Sequence, residues 1–79
     1  MLSPSLEDYL EEIYRFSMDH KVVRVSDIAA CLKVTLPSVN NAIRKLSQEN
    51  YLLYKPYKEL ELTDKGKITG KFLARVRAE

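Results

Sequence analysis

Val34-Thr-Leu-Pro-Ser-Val-Asn-Asn-Ala-Ile-Arg-Lys-Leu46 is the stretch whose reading decides the fold. Val39, Ala42, Ile43 and Leu46 recur at the 3.6-residue period, so one face of a helix is apolar. Pro37, Asn41, Arg44 and Gln48 fall on the opposite face, flanked by Asn40 on one side and by Ser38 and Lys45 on the other. Most of these side chains can hydrogen-bond to base edges or phosphates, and none is acidic. Thr35 is placed to cap the helix, and Pro37 suits its first turn. The helix should run to about Glu49 or Asn50, where Asn50 is a suitable stop. Ser26 to Lys33, just upstream, is a shorter helical pattern with Ile28, Ala29 and Leu32 inward. Two short helices joined at Lys33-Val34-Thr35 predict a helix-turn-helix, whose second helix enters the major groove of DNA.

Outward from this pair, each segment fits a scaffold. Ser3-Pro4-Ser5 opens a first helix, with either Ser3 or Ser5 as its cap. Leu6, Tyr9, Leu10, Ile13, Tyr14 and Phe16 or Ser17 trace its inward stripe, and it should fade over Met18 to Lys21. Val22 to Ser26 is β-branched and alternating, which predicts an edge strand, with Ser26 capping the next helix. Tyr51 to Lys55 and Glu59 to Leu62 form a β-hairpin with a basic, aromatic tip at Lys55-Pro-Tyr-Lys58. Thr63 can cap a last helix whose apolar stripe is Ile68, Phe72, Leu73 and Val76, with Lys65, Lys67, Lys71 and Arg75 on its outer side. Gly66 and Gly70 weaken that helix by roughly 1 kcal/mol each relative to alanine, or else permit close packing. The order is helix, strand, helix, helix, strand, strand, helix. The fold class is therefore mainly α with a small β-hairpin, a winged helix-turn-helix.

Composition agrees and excludes other classes. Seventy-nine residues, 46% hydrophobic, make one ordered domain with a modest core, expected over 1–79. Net charge is only +2, but it is unevenly spread. Met1 to Cys31 holds six acids and three bases, whereas Leu32 to Glu79 holds ten bases and five acids. The helix, hairpin and tail facing a nucleic acid would all lie in the basic part. Cys31 is the only cysteine, so no disulfide forms within the chain, and a buried or half-buried thiol is expected. There is no apolar run of membrane-spanning length and no signal peptide, so the expected compartment is the cytoplasm, with no membrane partner.

The candidate DNA-binding residues are Thr35, Pro37, Ser38, Asn40, Asn41, Arg44 and Lys45 on the second helix of the pair, with Tyr57 and Lys58, beside Lys55, at the hairpin tip. Asparagine pairs bidentately with adenine and arginine with guanine, while tip contacts to phosphate give orientation and salt dependence. Asp8 and Glu11 share one face of the first helix, and on the residues alone they read as helix-terminus electrostatics. His20 stands alone at the end of that helix and should face solvent. No nucleophile–base pair, phosphate loop or catalytic carboxylate pair is present, so an enzyme is not expected.

Ser5-Leu-Glu-Asp-Tyr-Leu-Glu-Glu-Ile-Tyr14, Arg24-Val-Ser-Asp-Ile-Ala29 and Leu62-Thr-Asp-Lys-Gly-Lys67 resemble the DNA-binding half of the diphtheria toxin repressor family of metal-dependent regulators. The nearer branch is that of the manganese transport regulators. The resemblance spans essentially the whole chain. It implies a homodimer that binds a palindromic operator in double-stranded DNA when Mn2+ or Fe2+ is abundant, repressing metal-uptake genes. It also implies that Asp8 and Glu11 correspond to metal ligands. In that branch a histidine ligand lies near the position of Arg77, and further ligands and most of the dimer interface come from a second helical domain. The chain is accordingly expected to be either the DNA-binding half of a longer regulator or a short regulator that binds no metal. A winged helix used for protein contacts, without metal sensing, is the alternative.

Overall fold

The computed structural model describes residues 2–77; Met1, Ala78 and Glu79, the ends of the expected domain, lie outside the described residues. The elements are α1 (Pro4–Asp19), β1 (Val23–Arg24), α2 (Val25–Leu32), α3 (Leu36–Gln48), β2 (Leu52–Lys55), a 3₁₀ turn (Pro56–Lys58), β3 (Glu59–Leu62) and α4 (Asp64–Arg77). The three strands form one antiparallel sheet in the order β1-β3-β2. Val23 pairs with Leu60, and Leu52 with Leu62. This is the expected winged helix-turn-helix.

Local chemistry accounts for most boundaries. Ser3, not Ser5, caps α1: its hydroxyl accepts from the Leu6 amide at 3.2 Å, and Pro4 fills the first helical position. α1 ends at Asp19, and the His20 ring stacks on Phe16 at 3.9 Å while remaining exposed. α2 is capped two residues before the sequence predicts, at Arg24 rather than Ser26. Strand β1 stops at Arg24, because the Asp27 carboxylate accepts the Arg24 amide at 3.1 Å and turns the chain into helix there. Val25 is therefore helical, and Ser26 is not the cap. Lys33 leaves α2 in the left-handed conformation, φ 56°, and starts the turn into α3. Thr35 caps α3 as expected, accepting from the Ser38 amide at 3.4 Å. Asn50, at φ 65°, follows its end.

The core lies where the three helices of the body meet the sheet. Leu10 and Ile13 of α1, Val25 and Ile28 of α2, Val39, Ile43 and Leu46 of α3, and Leu52 of β2 are all fully buried. The predicted inward faces of α1, α2 and α3 are the observed ones. Cys31 differs: it lies on the exposed side of α2. The slight desolvation of the thiol at the helix surface, then the carboxylates of Glu12 and Asp27, push its pKa up, which disfavours the reactive thiolate.

The last helix also departs from expectation. Leu73 is buried, but Ile68, Phe72 and Val76 are 70%, 62% and 54% exposed. α4 docks through its small residues instead. A Cβ on Gly70 would stand 2.6 Å from the Cβ of Tyr14, and one on Gly66 only 1.9 Å from the Tyr51 carbonyl oxygen. The glycines thus permit close approach, and the large apolar residues face outward. The helix start is tied back to the end of α3. Thr63 accepts from the Gly66 amide at 3.1 Å and donates to the Asn50 carbonyl at 2.6 Å, while Lys65 donates to the Glu49 carbonyl at 2.8 Å and lies over the Tyr51 ring.

Candidate nucleic-acid interface

Burial of Val39, Ala42, Ile43 and Leu46 fixes the rotation of α3, so Pro37, Ser38, Asn41, Arg44, Lys45 and Gln48 stand in solvent. Thr35 is exposed at the helix entrance, its hydroxyl 2.9 Å from that of Ser38. No acidic side chain belongs to this face. Asn40 differs from its neighbours: it is half-buried, and its Oδ1 is buried without a hydrogen-bond partner. It lines a cleft of about 390 Å³ with Arg44, Ser47 and Gln48 of α3 and Tyr54 of β2. A second cleft, about 310 Å³, separates Ser38, Asn41 and Lys45 from Ser3, Ser5 and Tyr9 of α1. The outward face of α3 is therefore a ridge with the hairpin on one flank and the start of α1 on the other.

Tyr54 and Ser47 carry no functional signal in the sequence, and Ser3 and Ser5 read there only as candidate helix caps. Tyr54 reads there only as part of a strand, and nothing local shows that the hairpin returns beside α3. A polar residue beside an exposed helix face is the only signal available for Ser47.

The hairpin tip is built from two consecutive left-handed residues, Tyr57 at φ 63° and Lys58 at φ 60°. Such positions favour Gly and Asn, since a Cβ there crowds the following carbonyl at about 1 kcal/mol or more per residue. Tyr57 is 88% exposed. The tip therefore holds an aromatic ring and an ammonium in solvent on strained backbone, a pattern that concentrates at functional positions. Lys55 is engaged at 2.8 Å with Glu61 across the ladder; the hydrogen bond to Glu61 raises the Lys55 pKa, and the same bond lowers that of Glu61. We expect Lys58→Gly to raise stability by about 1 kcal/mol, read by thermal melting, while duplex affinity falls. A lower melting temperature would show that the tip is not strained in this way.

Asp8 and Glu11 lie together on α1 as the spacing predicts, but with company. The guanidinium of Arg77 is bonded to Asp8, to Glu11 Oε1 at 3.0 Å and to Glu7 Oε1 at 3.1 Å. Glu11 Oε2 receives Arg15 Nε at 2.8 Å. A hard divalent ion wants about six oxygen or nitrogen ligands. Among the described residues, no group of three or more His, Cys, Asp or Glu side chains is arranged to hold one. The residues present do not fit Mn2+ or Fe2+.

A helix-turn-helix with a hairpin wing and an acid-free outer helix face defines the class of winged-helix DNA-binding domains. Residues 1–60 match the family described as the iron dependent repressor, N-terminal DNA binding domain, and the chain belongs to that family. It is 47% identical over 73 residues to the HTH-type transcriptional regulators MntR of Bacillus velezensis and Bacillus subtilis, covering 92% of this chain and 51% of each relative. The chain thus spans about half the length of the curated relatives it matches. Among solved structures it is similar in fold to MepR, a transcription regulator of the Staphylococcus aureus multidrug efflux pump MepA, with TM-score 0.79 and 22% identity over 98% of this chain and 57% of that one. Ligand-free NadR is also similar, with TM-score 0.71 and 17% identity over 90% of this chain and 54% of that one. The relatives carry the names of transcription regulators, not of enzymes.

Proposed function

We propose that this chain is the DNA-binding half of a transcriptional repressor, a single domain that places α3 in the major groove and its hairpin along the phosphate backbone. The observation that carries the reading is the outward face of α3, polar, free of acids and flanked by the hairpin. Asn41 and Arg44 occupy the middle of that ridge and read base edges. Pro37 offers apolar contact to a thymine methyl. Thr35, Ser38 and Lys45 meet the backbone on one side of the groove, and Tyr57 and Lys58 meet it on the other. Asn40, half-buried, lines the cleft between that ridge and the hairpin. The native regulator acts as a homodimer on a palindromic operator, with half-sites about one turn, roughly 34 Å, apart. Its compartment is the cytoplasm, where that duplex is; among the described residues no helix is long and apolar enough to cross a membrane. The family's description ties its repressors to iron, and the resemblance implies Mn2+ or Fe2+. No step of the function proposed for this chain runs through either ion, because Asp8 and Glu11 are already engaged.

Arg44→Ala tests the reading. A bidentate arginine–guanine pair discriminates by about 1 to 3 kcal/mol, so affinity for the operator should fall roughly 5- to 150-fold. The melting temperature should stay nearly the same, since Arg44 is exposed and its hydrogen bond to Asn41 is long, at 3.5 Å. Unchanged affinity and an unchanged salt slope would remove α3 from the groove.

A further inference from the structure

Three carboxylates within little more than one turn of α1, Glu7, Asp8 and Glu11, repel one another unless a cation joins them. In this chain the cation comes from its own last helix. Arg77 lies 66 to 70 residues away in sequence, yet its two terminal nitrogens contact all three. Arg15 adds a second tie between the same helices: its Nε holds Glu11 Oε2, and its Nη2 donates to the Ala74 carbonyl of α4 at 3.4 Å. Glu11 therefore has both oxygens on guanidinium groups, and its side chain is only 12% exposed. Hydrogen bonds to Asp8 and then to Glu11 raise the Arg77 pKa above its already high usual value, so the charge is permanent.

We propose that Arg77 is the resident cation of this acidic cluster and takes the place of a divalent metal, clamping α1 to α4 so that the domain needs no metal. An incoming Mn2+ would have to displace a planar fork matched to carboxylates. It would also sit beside two guanidinium groups, which repel it. In return it would gain carboxylate oxygens alone, with no imidazole or thiolate from the described residues. The part of this inference that concerns DNA rests on the function proposed above; the part that concerns the clamp does not.

The test is a titration of the 79-residue chain with MnCl2, and with FeCl2 under anaerobic conditions, followed by calorimetry and thermal melting. A site filled at about 100 times its Kd would raise the melting temperature on the order of 10 °C in a domain this small. We expect no stoichiometric heat and no rise, and the same duplex affinity in Mn2+ and in EDTA. Arg77→Ala should lower the melting temperature by several degrees, and Arg77→Lys by less, because one ammonium cannot reproduce the fork. Stoichiometric Mn2+ binding to the unmodified chain that is lost in Asp8→Asn would overturn the proposal, and so would an unchanged melting temperature in Arg77→Ala. If Arg77→Ala does not fold, the clamp is essential and the titration of the unmodified chain still decides the metal. A chain that binds no duplex under any condition sinks the DNA reading alone, because calorimetry and melting judge the clamp separately.

Discussion

Gly66→Ala is expected to lower the melting temperature of this domain steeply. The added Cβ would lie 1.9 Å from the Tyr51 carbonyl oxygen, 3.0 Å from its carbon and 3.1 Å from Leu62 Cδ2. The first two are backbone atoms and cannot swing aside. The Tyr51 carbonyl is held in place by the Thr63 amide at 3.2 Å. Alanine returns about 1 kcal/mol of helix propensity, but overpacking alone costs about 1 to 3 kcal/mol, and more when backbone must move. A chain of this length has roughly 4 to 12 kcal/mol in total. α4 would have to lift from the turn between α3 and β2, and Leu73 with it. Circular dichroism melting reads the result. A variant that melts within a few degrees of the unmodified chain would mean that α4 is not docked on its glycines. Gly70→Ala is milder, since the nearest atoms belong to the Tyr14 side chain.

Ile43→Ala should cost about 2 to 5 kcal/mol, the usual range for emptying a buried isoleucine position. Ile43 is fully buried beneath α3 and touches the body rather than the outward ridge. Denaturant unfolding should show the loss, yet duplex affinity corrected for the folded fraction should hold. Arg44→Ala gives the opposite pattern, with stability kept and affinity lost. The two variants sit one residue apart, so together they define which side of α3 is which. If Ile43→Ala keeps its stability and loses the duplex, the two faces have been exchanged.

The α3 ridge is legible in the sequence because one period carries both of its faces. Val39, Ala42, Ile43 and Leu46 announce the inward side, and whatever lies opposite is the exposed side. α4 is not legible in this way. Its docking face is Gly66, Gly70 and Leu73, and two glycines send no hydrophobic signal. Ile68, Phe72 and Val76 do send one, and they face solvent. The cap of α2 lies two residues before Ser26, since Asp27 reaches back to the Arg24 amide before Ser26 can cap. Neither the cleft beside Tyr54 nor the clamp of Arg77 on Glu7, Asp8 and Glu11 has any local signature. Both join residues that are distant along the chain, and only the assembled fold brings them together.

The strand order has a consequence for how a duplex is gripped. β3 is hydrogen-bonded to β2 on one edge and to β1, the strand that leads into α2, on the other. The wing is therefore not an arm on a hinge; it shares one sheet with the body that carries α3. In the complex proposed above, a wing tied into that sheet has little freedom to adapt its span to the groove. On that proposal, differences in groove width and bend fall to the DNA, and sequences that deform easily should be favoured even at base pairs no side chain reaches.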